Sequence, residues 1–326
     1  VNDVPGTPQA RRRPPTRAEL EANLHGLEAR ARATNDRINS RSGRNLVVAV
    51  IVGVLLGGIL LASLAFAKEL FMVFAFALVA ITSFELSGAL RSAGRDVPRT
   101  PLFIVSIAII PLSFWGIPAI GLSRDGGHWL GLLAGVVLVT VWRLVELIDP
   151  KQRAGASDVV KDLMAGVLVL VYIAFLGSFT VLMTAQEGGE WWVLGFIIVV
   201  VSIDTGAYAA GLTFGRHKMA PTISPGKTWE GFAGSAVFAM VAGVLVAIFL
   251  LGEPWWVGVI LAATMVLTAT GGDLAESLIK RDLGVKDIST WLPGHGGVLD
   301  RLDSTLLSAP AAYALFLIVT SGTMRA

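Results

Sequence analysis

Apolar residues fall along this chain in long blocks of about twenty, not in the alternation of a half-buried strand or the narrow stripe of a surface helix. A block of that length crosses a hydrocarbon core of roughly 30 Å as a helix. The pattern predicts about nine membrane helices, near 46–67, 69–90, 101–122, 129–149, 161–184, 191–213, 231–251, 255–278 and 304–321. The first 45 residues break the pattern, being polar and Arg-rich. Within them Thr16 and Glu19 have the spacing of a capping box, and Leu20, Leu24, Leu27 and Ala31 recur at helical spacing. This segment reads as a polar, partly helical tail, with an amphipathic helix on the membrane surface as the alternative. A cleaved leader is not expected, because the apolar run after the tail is longer than the roughly 7–15 residues of a signal core. The chain therefore divides into the tail (1–45), N-terminal membrane helices (46–160) and a C-terminal membrane unit (161–326), expected to be the catalytic part.

Composition agrees. Hydrophobic residues make up 54% and charged residues 15%, well under the roughly 25% charge of a soluble domain, and mean hydropathy is +0.70. The expected fold class is all-α, a polytopic integral membrane protein. Cysteine is absent, which removes disulfides, thiolate metal sites and cysteine nucleophiles.

The net charge of +2 says little, but the placement of Lys and Arg says more. Nine lie in the tail, and three, three, three and four lie in the stretches 91–100, 150–161, 214–230 and 279–303. The opposite side holds only Lys68, Arg124 and Arg325. The positive-inside rule then puts the N-terminus and those four connections in the cytoplasm. Trp129, Trp191, Trp192, Trp255 and Trp256 open helices on the outer side, as an aromatic belt would. The ionisable residues inside helices (Glu85, Arg143, Glu146, Asp204, Asp273, Glu276) all sit toward the cytoplasmic ends. Glu85, for example, is five residues from the end of its span, about 8 Å along the axis. Charges in lipid are costly and face water or a partner, so this bias implies a wet chamber open to the cytosol. For Glu85 and the Arg143–Glu146 pair, snorkelling or a structural ion pair is the expected reading.

Two polar segments carry the candidate chemistry. The first, 202–231, places Asp204, Thr205 and Tyr208 on one helix face and then a Pro/Gly-shaped loop with Arg216, His217, Lys218, Ser224, Lys227 and Thr228. Such a loop can wrap a polyphosphate, and it can equally be an ordinary basic loop. The second, 271–303, is stronger. Asp273, Glu276, Ser277 and Lys280 form one polar stripe at a helix end. A turn follows, Pro293-Gly294-His295-Gly296-Gly297, and then Asp300 and Asp303. Asp303 alone would read as a helix cap and His295 as a turn residue. Two aspartate pairs reaching one membrane face favour a divalent-metal site, with Lys280, Arg281, Lys286 and Arg301 nearby for phosphate.

The run Ser277-Leu-Ile-Lys280-Arg281-Asp-Leu-Gly-Val-Lys286-Asp287-Ile-Ser289-Thr-Trp-Leu292-Pro293-Gly-His295-Gly296-Gly297-Val-Leu-Asp300-Arg301-Leu-Asp303 resembles the defining motif of the CDP-diacylglycerol synthases, or phosphatidate cytidylyltransferases, and 204–231 is similar to the same family. The likeness covers roughly residues 160–321. It implies transfer of CMP from CTP to phosphatidate with Mg²⁺, in an all-helical membrane fold that commonly forms homodimers; a two-metal clamp is one way to supply the alignment and charge neutralisation that this transfer needs. It also implies roles: Asp273 and Asp300 as metal ligands with Asp303 and Asp204 next, and Lys280, Arg281, Lys286 and Arg301 on phosphates. Ser224, Lys227, Ser277 and His295 would complete the nucleotide site. Asp273, Asp300, Lys280 and Arg301 are the expected catalytic set. The expected location is the cell membrane, with the site facing the cytoplasm and no nucleic-acid partner. A CTP-dependent polyprenol or phytol kinase is the nearest alternative. A transporter is more distant, since its site would lie near mid-bilayer and between repeats, and no repeat is found.

Overall fold

The computed structural model describes residues 46–149, 155–289, 291 and 296–322. The N-terminal tail and His295 lie outside the described residues. Nine long helices appear among those described. They are α1 (Leu46–Phe66), α2 (Lys68–Ser92), α3 (Arg99–Trp115), α4 (Arg124–Glu146), α5 (Ala156–Thr184), α6 (Gly189–Phe214), α7 (Trp229–Leu251), α8 (Trp255–Asp282) and α9 (Asp303–Thr320). Seven of them, α2 and α4 to α9, are long and apolar enough to cross a membrane, while the described part of α1 and all of α3 are shorter apolar helices. The protein is an all-α polytopic membrane protein.

One departure from the all-helical expectation is a small hairpin between α6 and α7, β1 (Lys218–Ala220) and β2 (Ser224–Thr228). They pair antiparallel, with Lys218 opposite Thr228 and Ala220 opposite Ser224. Thr228 ends the hairpin and starts the next helix, since its Oγ1 accepts the Gly231 N–H at 3.1 Å as an N-cap. A helix–loop–helix reading of 214–230 thus becomes helix–hairpin–helix.

Helix ends differ from the apolar blocks in a consistent way. The α3 helix stops at Trp115, not 122, because Gly116 turns to φ +66°, where its missing Cβ would meet the Leu122 carbonyl at 2.5 Å. The α4 helix then begins at Arg124, not 129, capped by the Ser123 hydroxyl accepting from Gly126 N–H at 3.1 Å. Likewise α5 starts at Ala156 and α8 runs on to Asp282. Hydropathy marks where lipid begins; caps and glycines mark where helices begin.

One continuous apolar core runs from Leu64 to Val319, drawing on helices from both halves of the chain. At its centre is α5, 67% buried over its apolar window against 28% for α4 and for α7. A π-helical stretch, Leu170–Phe175, interrupts α5 where its side chains face the core. The residue 160 boundary expected from the motifs falls inside this helix. The arrangement matters for function because α6 packs on α7, α7 on α8 and α8 on α9. That chain of contacts brings both polar segments together.

Candidate active site

The site is built on the last turns of α8. At 3.6 residues per turn, Asp273, Glu276, Ser277 and Lys280 share one face. Glu276 is fully buried, and Lys280 reaches back one turn to it at 2.7 Å. The same ammonium group contacts Asp300 Oδ1 at 3.1 Å, so Lys280 joins the helix end to the far end of the motif. Asp273 is paired with Lys227 of β2 at 2.6 Å, and Ser277 Oγ lies 3.4 Å from Asp273 Oδ1. The hairpin is therefore locked to α8 by an ion pair. A second tie is Arg281 Nε donating to the Ile223 carbonyl at 3.1 Å.

The α9 helix starts beside this cluster. Asp303 accepts from the Ser304 N–H at 2.7 Å, and Glu276 is linked to Asp300 through their shared partner Lys280. The approach depends on Gly272, where a Cβ would sit 2.4 Å from the Asp303 carbonyl oxygen. Asp300 closes the turn before α9, taking the Gly297 N–H at 2.7 Å and facing the Ile288 N–H at 3.5 Å. Burial works against its charge. The Glu276 carboxyl, the Gly297 N–H and Lys280 outweigh that penalty and hold its pKa below the ordinary carboxylate value.

Two cavities of about 340 Å³ each flank this turn. One, the more polar of the two, carries Asp204, Tyr208, Lys227, Thr228, Asp273 and Ser304 among apolar side chains such as Met219 and Phe232. The other lies against α1, α2 and α9 and is apolar, with Leu60, Phe74, Leu78 and Leu306 among its lining and, among the described residues, Arg301 the one charged side chain on its wall. Ser304 opens on the first, and Arg301 and Thr305 on the second.

Several residues singled out in the sequence thus meet: Asp204, Lys227 and Asp273 in the polar cavity, with Asp303, Glu276, Lys280 and Asp300 beside it. Others stand apart. Lys286 is exposed, and Ser224 is half-buried within the hairpin. Thr205, on the same turn as Asp204, bonds the Val201 carbonyl at 2.8 Å and does not line the cavity. The Arg143–Glu146 pair is structural: Arg143 is 1% exposed and binds Asp162 at 2.7 Å, Asp96 at 3.1 Å and Glu146 at 3.4 Å. Glu85 does something the sequence did not suggest. Its carboxylate accepts from Ser289 Oγ and from the Val298 and Leu299 N–H groups, all in the motif. Glu230 is the other residue missed; it ties the hairpin entry through His217 Nδ1 at 2.6 Å.

Among the described residues no three His, Cys, Asp or Glu side chains converge to hold a metal ion by themselves. The donor chemistry nevertheless fits Mg²⁺, which is commonly held by one or two carboxylates with substrate phosphates and water completing the shell. Asp204 and Asp273 offer that much on one cavity wall.

Comparison with known proteins decides the family. Residues 47–319 match the cytidylyltransferase family. The chain belongs to it. Cytidylyltransferase-family relatives include a Mycobacterium leprae protein, 38% identical over 314 residues, covering 94% of this chain and 98% of the relative. A Mycobacterium bovis protein is 38% identical over 286 residues, covering 86% and 91%. One from Staphylococcus saprophyticus is 36% identical over 205 residues, covering 61% and 75%. All three are named phosphatidate cytidylyltransferase. The family match takes in the helices before residue 160, where the sequence offered no recognisable motif.

Proposed function

We propose that this protein transfers the cytidylyl group of CTP to the phosphate of phosphatidate, giving CDP-diacylglycerol and pyrophosphate. The observation that carries this reading is the pair of cavities beside the Arg301–Ser304 turn, one with Asp204, Lys227 and Asp273 on its walls and the other apolar. A reaction between a water-soluble triphosphate and a lipid phosphate needs such a meeting point. The names of the mycobacterial and staphylococcal relatives support the same substrates.

In this scheme an oxygen of the phosphatidate phosphomonoester attacks the α-phosphorus of CTP. The bond from that phosphorus to the bridging oxygen of the β-phosphate breaks, and pyrophosphate leaves. The nucleophile is anionic already, so no activating dyad is needed. The protein's task is alignment and charge neutralisation. Lys227 in the polar cavity receives the triphosphate. Arg301, on the wall of the apolar cavity, receives the lipid phosphate whose chains that cavity accepts. Lys280, bridging Glu276 and Asp300, ties the end of α8 to the turn that carries Arg301. Asp273 with Asp204 and Asp303 would hold Mg²⁺, which when bound supplies further neutralisation of the phosphates. Asp300, whose oxygens are engaged by Lys280 and by Gly297, would serve that ion through its hold on the turn. Nine spans, a cytoplasmic N-terminus, a site facing the cytosol and a homodimer complete the proposal, the orientation resting on the distribution of Lys and Arg.

Purified protein given CTP, phosphatidate and Mg²⁺ tests it. Label at the α-phosphate of CTP is expected to enter the lipid as pyrophosphate is released. Transfer of label from the γ-position to a lipid alcohol would replace this reading with the kinase one.

A further inference from the structure

We propose that Glu85 is a positioning residue for this reaction: from α2, in the half of the chain without a recognisable motif, its carboxylate ties Ser289 to Val298 and Leu299 and so sets the turn that carries Asp300 and Arg301. The inference rests on the functional reading above and adds a residue to it.

Glu85 is 4% exposed and, among the described residues, has three donors, from Ser289, Val298 and Leu299. Oε1 accepts from Ser289 Oγ at 2.5 Å and from Val298 N–H at 3.0 Å; Oε2 accepts from Leu299 N–H at 2.9 Å. Hydrogen bonds to a buried charged acceptor are about twice as strong as neutral ones. These three bring Ser289, after α8, together with Val298 and Leu299, before α9. Gly297 sits where they meet. A Cβ there would lie 3.1 Å from Asp300 Oδ2, 3.1 Å from Ser289 Oγ and 3.2 Å from Glu85 Oε2. The neighbouring Phe84 packs against Trp291 with ring centroids 5.5 Å apart, so two successive residues of α2 grip the same loop.

What the loop carries gives the contact its purpose. Just after the two bonded amides come Asp300, which engages Lys280, and Arg301, which lines the apolar cavity. Glu85 thereby acts on the reaction through others. None of its three bonds joins one membrane helix to another, and α2 keeps its own packing through Phe71, Val79 and Leu86. Releasing the carboxylate would loosen the loop and leave the helices in place. Misplacement by about 1 Å costs on the order of 10²-fold in rate.

The test compares Glu85→Gln and Glu85→Asp with the unaltered protein in detergent, by steady-state kinetics, thermal unfolding and amide hydrogen exchange. Glu85→Gln should lower kcat about 10- to 100-fold, with the KM for CTP moving less than about threefold and the unfolding midpoint little changed. Exchange at Val298 and Leu299 should rise while the helices stay protected, and Glu85→Asp should recover part of kcat. Unchanged kcat with unchanged exchange at those amides would overturn the proposal. So would a loss of kcat accompanied by raised exchange throughout the helices, which marks a purely structural role. If the unaltered protein puts no cytidine label into lipid, the functional reading fails instead. The exchange comparison then still decides whether Glu85 holds the loop.

Discussion

Replacing Gly272 by alanine tests how closely α8 and α9 must approach. An alanine Cβ at 272 would lie 2.4 Å from the Asp303 carbonyl oxygen and 3.2 Å from its carbonyl carbon. Ordinary contact begins near 3.4 Å, so α9 must retreat by about 1 Å. The obstacle is backbone and has no rotamer to change. Overpacking of this kind costs about 1–3 kcal/mol, and the helix preference of alanine over glycine returns up to about 1 kcal/mol. The net loss of stability is therefore modest, about 0–3 kcal/mol. Activity should suffer far more, because Asp303 and Ser304 are carried on the displaced turn, and a 1 Å error is worth on the order of 10²-fold. Gly271→Ala is the control. Its Cβ would meet only the end of the Leu307 side chain at 3.4 Å, so that variant should keep its rate and stability. Cytidine incorporation into lipid, measured with thermal unfolding on both proteins, gives the answer. Gly272→Ala retaining kcat within about threefold of the unaltered protein, or the two variants losing activity equally, would refute the reasoning.

Three further outcomes are expected. Gly57→Leu places a side chain into the apolar cavity, where a Cβ at 57 meets nothing within 4 Å; initial rates should show a raised KM for phosphatidate and an unchanged KM for CTP. Lys227→Ala removes the cation 2.6 Å from Asp273 and should cut kcat/KM for CTP about 10- to 100-fold, the value of a hydrogen bond to a charged group, as read from CTP titrations. Arg143→Met strands Asp162, which is 5% exposed, and should destabilise the fold by about 3–5 kcal/mol. Thermal unfolding would record that loss, and the protein still folded should turn over at the normal rate.

Much of the site was legible because helical spacing alone puts Asp273, Glu276 and Lys280 on one face, and because a charge within an apolar block needs a reason. The same logic exposed Asp204. It did not tell apart Glu85 and the Arg143–Glu146 pair, which look alike in sequence as charged residues near helix ends. Their difference lies in partners some two hundred residues away for Glu85 and within 47 residues for Arg143. Hydropathy also could not find the hairpin. Residues 218–228 are paired through backbone, and their pattern of Pro, Gly and Lys reads as a loop until Lys227 is seen anchored on Asp273. Helix ends followed the same rule: where Gly116 and Ser123 decide, polarity does not.

The separation of the two cavities by a single turn also governs departure. In the proposed reaction the two cavities would give pyrophosphate and the nucleotide-bearing lipid separate exits, so neither would wait for the other to clear a shared channel. Pyrophosphate should then compete with CTP for the enzyme, while an accumulating lipid product competes with its lipid precursor.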